Sequence, residues 1–260
     1  MKLPTLPRLA GPLLFLGGSV LAAGPEAGLF SFTENAAGGL RLAGPGVSPE
    51  IWVAPDELPG VIRVANDLAA DFGRVGSNAT VVSTTFAGAA TKKTSRPVIV
   101  LGTLGTSGLI QGLVSAKKID AGPVAGKWET FSYTTVPTPW DGLDAAFVIA
   151  GSDLRGSVFG AYAVSEAIGV SPWYYWADAQ PKKRTHIFVR GTGETPTVVG
   201  PPSVKFRGIF LNDEDPALVR PPGAFLPIPG PLPSDSWSED ERPTPDSYYS
   251  APNPLRTGHS

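Results

Sequence analysis

The stretch Asp144–Gly169, "DAAFVIAGSDLRGSVFGAYAVSEAIG", changes its periodicity halfway along. "DAAFVIAG" is apolar, of strand length, and reads as a strand, whereas "RGSVFGAYAVSEAIG" reads as a helix in spite of its β-branched members and stops at Gly169. A glycine turn between an apolar strand and a helix predicts a layer of helix on sheet.

The same alternation continues on both sides. "EIWVAP" is a strand ended by Pro55. From Pro59, residues Val61, Val64, Leu68 and Phe72 recur at intervals of three and four, with Arg63, Asp67 and Asp71 mostly elsewhere on the circle; this predicts an amphipathic helix closed by Gly73. "ATVVSTTF" is β-branched, and "RPVIVLG" is a continuous apolar run, as in a strand covered on both faces. "SGLIQGLVSAKKI" predicts a helix capped by Ser107 with lysines near its end, and "ETFSYTTV" another strand. "THIFVRG" and "VKFRGIFL" close the series, while "FSFTENAAGGLRLAGPGVSP" before it is a short strand and turn region. Elements alternating in this way over residues 50–211 predict a small layered α/β domain, spanning 24–200, with a mixed or mostly parallel sheet.

Composition narrows the function classes. The chain of 260 residues has 17% charged residues, a formal net charge of −2 and no basic stripe with interleaved aromatics, so neither a nucleic acid nor another polyanion is an expected partner. Two histidines and no cysteine leave no zinc cluster, disulfide or thiol nucleophile to expect. The first 23 residues combine Lys2 and Arg8 with an apolar run from Leu9 to Leu21 and small residues at Ala22 and Ala23. That order is a signal peptide's, since a membrane-spanning helix needs about 20 apolar residues. Secretion to the cell exterior without a membrane anchor is therefore expected, and Asn78 in "NAT" becomes a candidate glycosylation acceptor. Residues 220–260, rich in proline with serines and acidic residues and lacking apolar periodicity, are expected to be a disordered tail.

Four stretches offer candidate function. "GTLGTSG" and "GSDLRG" each form a glycine turn at a helix start, where backbone amides can hold an anion, but neither completes a dinucleotide or P-loop motif. No cofactor is expected from them, and a nucleotide-binding domain is disfavoured. Asp153 and Arg155 add an unforced charged pair where open α/β sheets place their ligands. In "GVSPWYYWAD", Pro172 stiffens a turn ahead of Trp173, Tyr174, Tyr175 and Trp176. Four adjacent aromatics cannot share one face, so they form either a buried plug or, in part, a wall for sugar rings or another domain. In "FRGIFLNDEDPAL" a strand runs into Asn212, Asp213, Glu214 and Asp215, whose adjacent carboxylates need solvent, a cation or a substrate to coexist.

The segments "PGVIRVANDLAADFGRV", "VIVLGTLGTSGLI", "GKWETF", "FVIAGSDLRGSVFGAYAVSEAIGVSPWYYWADAQP" and "VKFRGIFLNDEDPAL" together resemble, in unbroken order over residues 48–219, the amino-terminal part of glycoside hydrolase family 115, the xylan α-1,2-glucuronidases. The resemblance implies a secreted hydrolase that removes glucuronic acid or its 4-O-methyl form from glucuronoxylan or acidic xylo-oligosaccharides, with inversion and without a cofactor or metal, and whose full-length relatives can dimerise. It also implies an α/β domain like the one preceding the barrel of β-hexosaminidases, followed by a TIM-like catalytic barrel whose first strand begins within residues 201–219. On this basis Asp213 and Glu214 are the catalytic candidates, and Asp153, Arg155, Trp173, Trp176 and Asn212 the substrate-binding ones. Leu154 stands where the family usually has lysine, and Asp215 where it usually has alanine. The barrel would need roughly two hundred residues more, so the chain is expected to be a fragment inactive alone. The alternative is a non-catalytic carbohydrate-binding or interaction module. Mass spectrometry of the exported chain should find a mature start near residue 23 or 24; an intracellular chain that keeps Met1 would refute the leader.

Overall fold

A computed structural model describes residues 28–33, 39–174, 177–190 and 196–208. The chain divides into two units, Met1–Lys205 and Phe206–Ser260, and every helix and strand among the described residues lies in the first. The leader, the acidic segment Asn212–Asp215 and the proline-rich tail lie outside the described residues.

The unit is an α/β domain with a mixed sheet. Strands β1 (Phe30–Ser31), β2 (Leu40–Ala43) and β3 (Glu50–Val53) precede helix α1 (Pro59–Arg74), and β4 (Thr80–Ser83), α2 (Phe86–Thr91), β5 (Val98–Thr103) and α3 (Gly108–Ser115) follow it. Then come β6 (Phe131–Pro137), β7 (Ala145–Gly151), α4 (Leu154–Ile168), β8 (Ile187–Val189) and β9 (Thr197–Val199). The main sheet has the order β4-β3-β5-β7-β6-β9. Its first four strands are parallel, while β6 runs antiparallel to both β7 and β9. A second, antiparallel sheet has the order β1-β8-β2.

Two-residue alternation explains how both faces of the main sheet are used. Ile51, Val53, Ile99, Leu101, Phe147 and Ile149 point to one side and join Val64, Leu68 and Phe72 of α1 with Ala161, Val164 and Ile168 of α4. The small sheet adds Phe30, Leu42, Ile187 and Val189 to the same core. Trp52, Val98, Val100, Ala146 and Val148 point to the other side, against Leu109, Ile110 and Leu113 of α3. Strands buried on both faces leave no polar positions, hence their unbroken apolar runs.

Several local expectations change. Helix α1 passes through Gly73 and ends only at Arg74, with the left-handed turn at Gly76 (φ +103°). Asp67 and Asp71 are buried rather than facing solvent: Asp67 accepts the Tyr162 hydroxyl of α4 at 2.9 Å, and Asp71 pairs with Arg74 one turn on. The β-branched strand "ATVVSTTF" stops at Ser83, because Thr85 caps α2 by accepting the Gly88 amide at 3.0 Å. Helix α3 is shorter than expected, with Lys117 in the left-handed region beyond it. "THIFVRG" contributes β8 to the small sheet rather than to the main one, and Val204–Gly208, the described part of the expected "VKFRGIFL" strand, forms no strand.

Helix α4 begins immediately beyond β7, and the chain has almost no room there. A Cβ at Gly151 would overlap the backbone N and Cα of Ser157, groups that cannot rotate away. Gly151→Ala should therefore destabilise the domain by about 3 kcal/mol or more, as overpacking against rigid backbone does. A thermal melt lowered by less than ~3 °C would show that the turn can relax.

Candidate functional site

The parallel strands β3, β5 and β7 all end on one edge of the sheet, and their following loops collect a polar cluster. Glu57, buried in the loop after β3, accepts the Thr103 amide at 2.8 Å and the Leu58 amide at 2.9 Å. The Thr103 hydroxyl, at the end of β5, is 2.7 Å from that of Ser157, whose Oγ also lies 3.2 Å from the Gly102 carbonyl oxygen. Because β6 is antiparallel, its first residues return to this edge and bring Glu129 and Thr130 beside the Ser152–Gly156 turn. The Thr130 amide donates to Ser152 Oγ at 3.0 Å, and the Ser152 amide returns a bond to the Thr130 carbonyl at 2.8 Å.

Asp153 and Arg155 do not pair with one another. Asp153 is the N-cap of α4: Oδ1 accepts the Gly156 amide at 2.7 Å, and Oδ2 accepts the Glu129 amide at 2.8 Å. Both carboxylate oxygens thus hold backbone. Arg155 instead places Nε 2.7 Å from Oε1 of Glu129, with its guanidinium carbon 5.3 Å from the Phe159 ring centre. The arginine side chain is 58% exposed and that of the glutamate 9%.

Trp173 stands at the other edge. Helix α4 carries the chain about 22 Å from the carboxyl ends of the strands to their amino ends, at 1.5 Å per residue. There Gly169 turns the chain at φ +124°, the Lys182 amide donates to its carbonyl, and the Arg184 amide donates to the carbonyl of Val75 at the end of α1. Trp173 is 60% exposed, while Tyr174 lies under the Arg74 guanidinium at 5.1 Å and packs against the core. The aromatic stretch therefore divides between surface and interior, and Tyr175 and Trp176 lie outside the described residues. Arg184 stacks on Phe32 at 3.7 Å, and burial pushes its guanidinium below the ordinary arginine value.

Asn78 is exposed in the loop between α1 and β4, on the wall of an open cavity of about 700 Å³ lined also by Pro45, Ser48, Lys183 and Arg184. A second cavity, about 980 Å³, lies between the end of α3 and β6, among Lys117, Lys118, Thr134 and Val136. Asp153, Arg155 and Trp173 line neither. Asn212, Asp213 and Glu214 lie outside the described residues. Among the described residues no group of three or more acidic or histidine side chains is placed to hold a metal, and no helix is long and apolar enough to cross a membrane.

Sequence reasoning missed Glu129, because its partner is 26 positions away on another element. The available signal was Arg155 itself, an arginine in the first turn of a helix whose other charged residue, Glu166, lies in its last turn.

No protein-family model matches the chain, and no curated protein matches it. A solved family GH115 4-O-methyl-α-glucuronidase, described as specific for decorated arabinogalactans, is similar with a TM-score of 0.45 and 27% identity. The similarity covers 60% of this chain and 18% of that one.

The two members of the sequence-predicted pair should separate in stability measurements. Asp153→Ala removes the cap and a bond to the buried Glu129 backbone, and should cost about 1–2 kcal/mol. Arg155→Ala breaks a pair whose cation is mostly solvated and should cost under ~1 kcal/mol. Urea midpoints lowered equally by both would contradict this division.

Proposed function

We propose that the chain is the amino-terminal portion of a secreted glycoside hydrolase that removes glucuronic acid or 4-O-methylglucuronic acid side chains from xylan, and that the α/β unit is the module preceding its catalytic barrel. The supporting observation is the ordered set of sequence segments over residues 48–219 that resemble glycoside hydrolase family 115. In this reading Asp213 and Glu214 belong to the catalytic barrel and Asn212 to its substrate contacts. Arg155 is the substrate-binding residue of the α/β unit best disposed to meet an acidic sugar, since its guanidinium is exposed and held at the carboxyl edge. Asp153 contributes by shaping that edge. Trp173 and Trp176 would contact the polysaccharide elsewhere.

A second reading, a non-catalytic carbohydrate-binding module, is favoured by the exposure of Trp173, an indole that offers a flat apolar face to a sugar ring. The two readings differ in what they require. Inverting hydrolysis needs two carboxyl groups roughly 6.5–9.5 Å apart across the glycosidic bond. Asp213 and Glu214 are neighbours in one segment and can supply only one side of that arrangement.

The 260-residue chain should therefore release no measurable glucuronic acid from glucuronoxylan, while a chain extended through a barrel should. In the extended enzyme Asp213→Asn should lower turnover more than Asp215→Asn. Release by the 260-residue chain would overturn the assignment of the α/β unit as a preceding module. Equal rates for the two extended variants would remove Asp213 from the site.

A further inference from the structure

Glu129 combines three properties that rarely coincide in one residue. Its backbone is left-handed (φ +48°) without being glycine, it is 8% exposed, and it carries a carboxylate. A non-glycine residue there costs of order 1 kcal/mol and persists where its surroundings over-determine it. Here they do. Its amide is held by Asp153 Oδ2, the next residue is bonded to Ser152 through both backbone groups, and the Thr130 hydroxyl donates to the Trp128 carbonyl at 3.1 Å. Gly156 must lack a side chain because a Cβ would overlap the Thr130 carbonyl oxygen. The backbone strain is thus fixed by the turn that also starts α4.

The consequence lies in the direction of Arg155. Glu129 Oε1 forms an ion pair with Arg155, 2.7 Å from Nε, and the aromatic ring of Phe159 lies beside the guanidinium carbon, so the side chain is held from two sides. Among the described residues Arg155 has no other ion pair, and its side chain is 58% exposed. The terminal nitrogens form the two-pronged edge that matches a carboxylate.

We infer that Glu129 is a positioning residue, which holds the Arg155 guanidinium with its terminal amino edge outward to receive the carboxylate of an acidic sugar. The inference rests on the proposed reading of the chain as a handler of uronyl groups. Glu129 also partly neutralises Arg155, and this opposing effect makes the two roles separable. If its charge alone mattered, any neutral replacement would tighten anion binding. If its geometry matters, Glu129→Gln, which keeps an oxygen beside Nε, should bind at least as well as the original. Glu129→Ala, which frees the guanidinium, should bind worse.

The test uses the full 260-residue chain, with glucuronic acid as probe and its methyl ester as the uncharged control. Two readouts are followed: the Arg155 Nε–H resonance and its exchange with water in the free protein, and affinity by titration. Expected are a protected Nε–H in the original and in Glu129→Gln, rapid exchange in Glu129→Ala, and about tenfold weaker binding for Glu129→Ala and Arg155→Lys, with none of the ester. Circular dichroism identifies any variant that has lost its fold, and Glu129→Asp, which keeps the charge but shortens the reach, then replaces Glu129→Ala with the same expected order. Glucuronic acid binding unchanged or tightened in the variant lacking the Nε contact overturns the positioning role alone. Absence of binding by the original chain, with its Nε–H protected, overturns the acidic-sugar reading and the inference with it.

Discussion

The closeness of β7 to the first turn of α4 governs the rest of the unit. At Gly151 the strand passes so near Ser157 that only hydrogen fits on Cα, and at Gly156 the helix passes equally near the Thr130 carbonyl. These two glycines let one helix start press into the angle between β7 and the neighbouring β6. Once there, α4 lays Ala161, Val164 and Ile168 on the face shared with α1, and Tyr133 of β6 donates its hydroxyl to the Gly160 carbonyl at 2.8 Å. Asp153 completes the junction by spending one carboxylate oxygen on each element, the Gly156 amide on the helix and the Glu129 amide ahead of the strand. A single residue thereby ties a helix cap to the loop before β6.

That junction explains why buried polar groups are tolerated at this edge. Glu57, Thr103 and Ser157 would each be costly beneath the loops if unpaired. Glu57 faces two amides, Thr103 and Ser157 share a hydrogen bond, and Ser157 also meets the Gly102 and Asp153 carbonyls. The carboxyl edge is thus rigid because its polar groups serve one another. Arg155 departs from this pattern by reaching outward from it.

Legibility in the sequence followed the range of the interactions. The runs at Val98–Thr103 and Ala145–Gly151 declared doubly covered strands, and the caps at Ser107 and Gly169 marked helix ends, because each depends on residues within a few positions. Helix α2 was hidden, since six residues are too few to show a period and its threonines resemble a strand's. The three-residue β9 and the placement of β8 in a separate sheet depend on partners far along the chain. Asp67 looked like a solvent-facing charge because its Tyr162 partner is 95 positions away. Asp153 and Arg155 were visible as the charges in an otherwise uncharged stretch from Ala145 to Ser165. Which of them faces backbone and which faces outward was not visible, because Asp153 and Arg155 both answer to Glu129.

The connection from β7 through α4 also sets a limit on any ligand. A helix that begins at the carboxyl ends of parallel strands and packs back along the sheet must deliver the next segment of chain to the amino ends. The fold therefore separates Arg155 from Trp173 by the length of α4, although they are only 18 positions apart. A monosaccharide is far shorter than the roughly 22 Å of a 15-residue helix, and it cannot touch both. A single ligand that touched both would have to extend along the length of α4. The exposed Tyr162, tethered to α1 through Asp67, lies between the two ends of that helix, so the same element that separates the two residues is itself fixed to its neighbour.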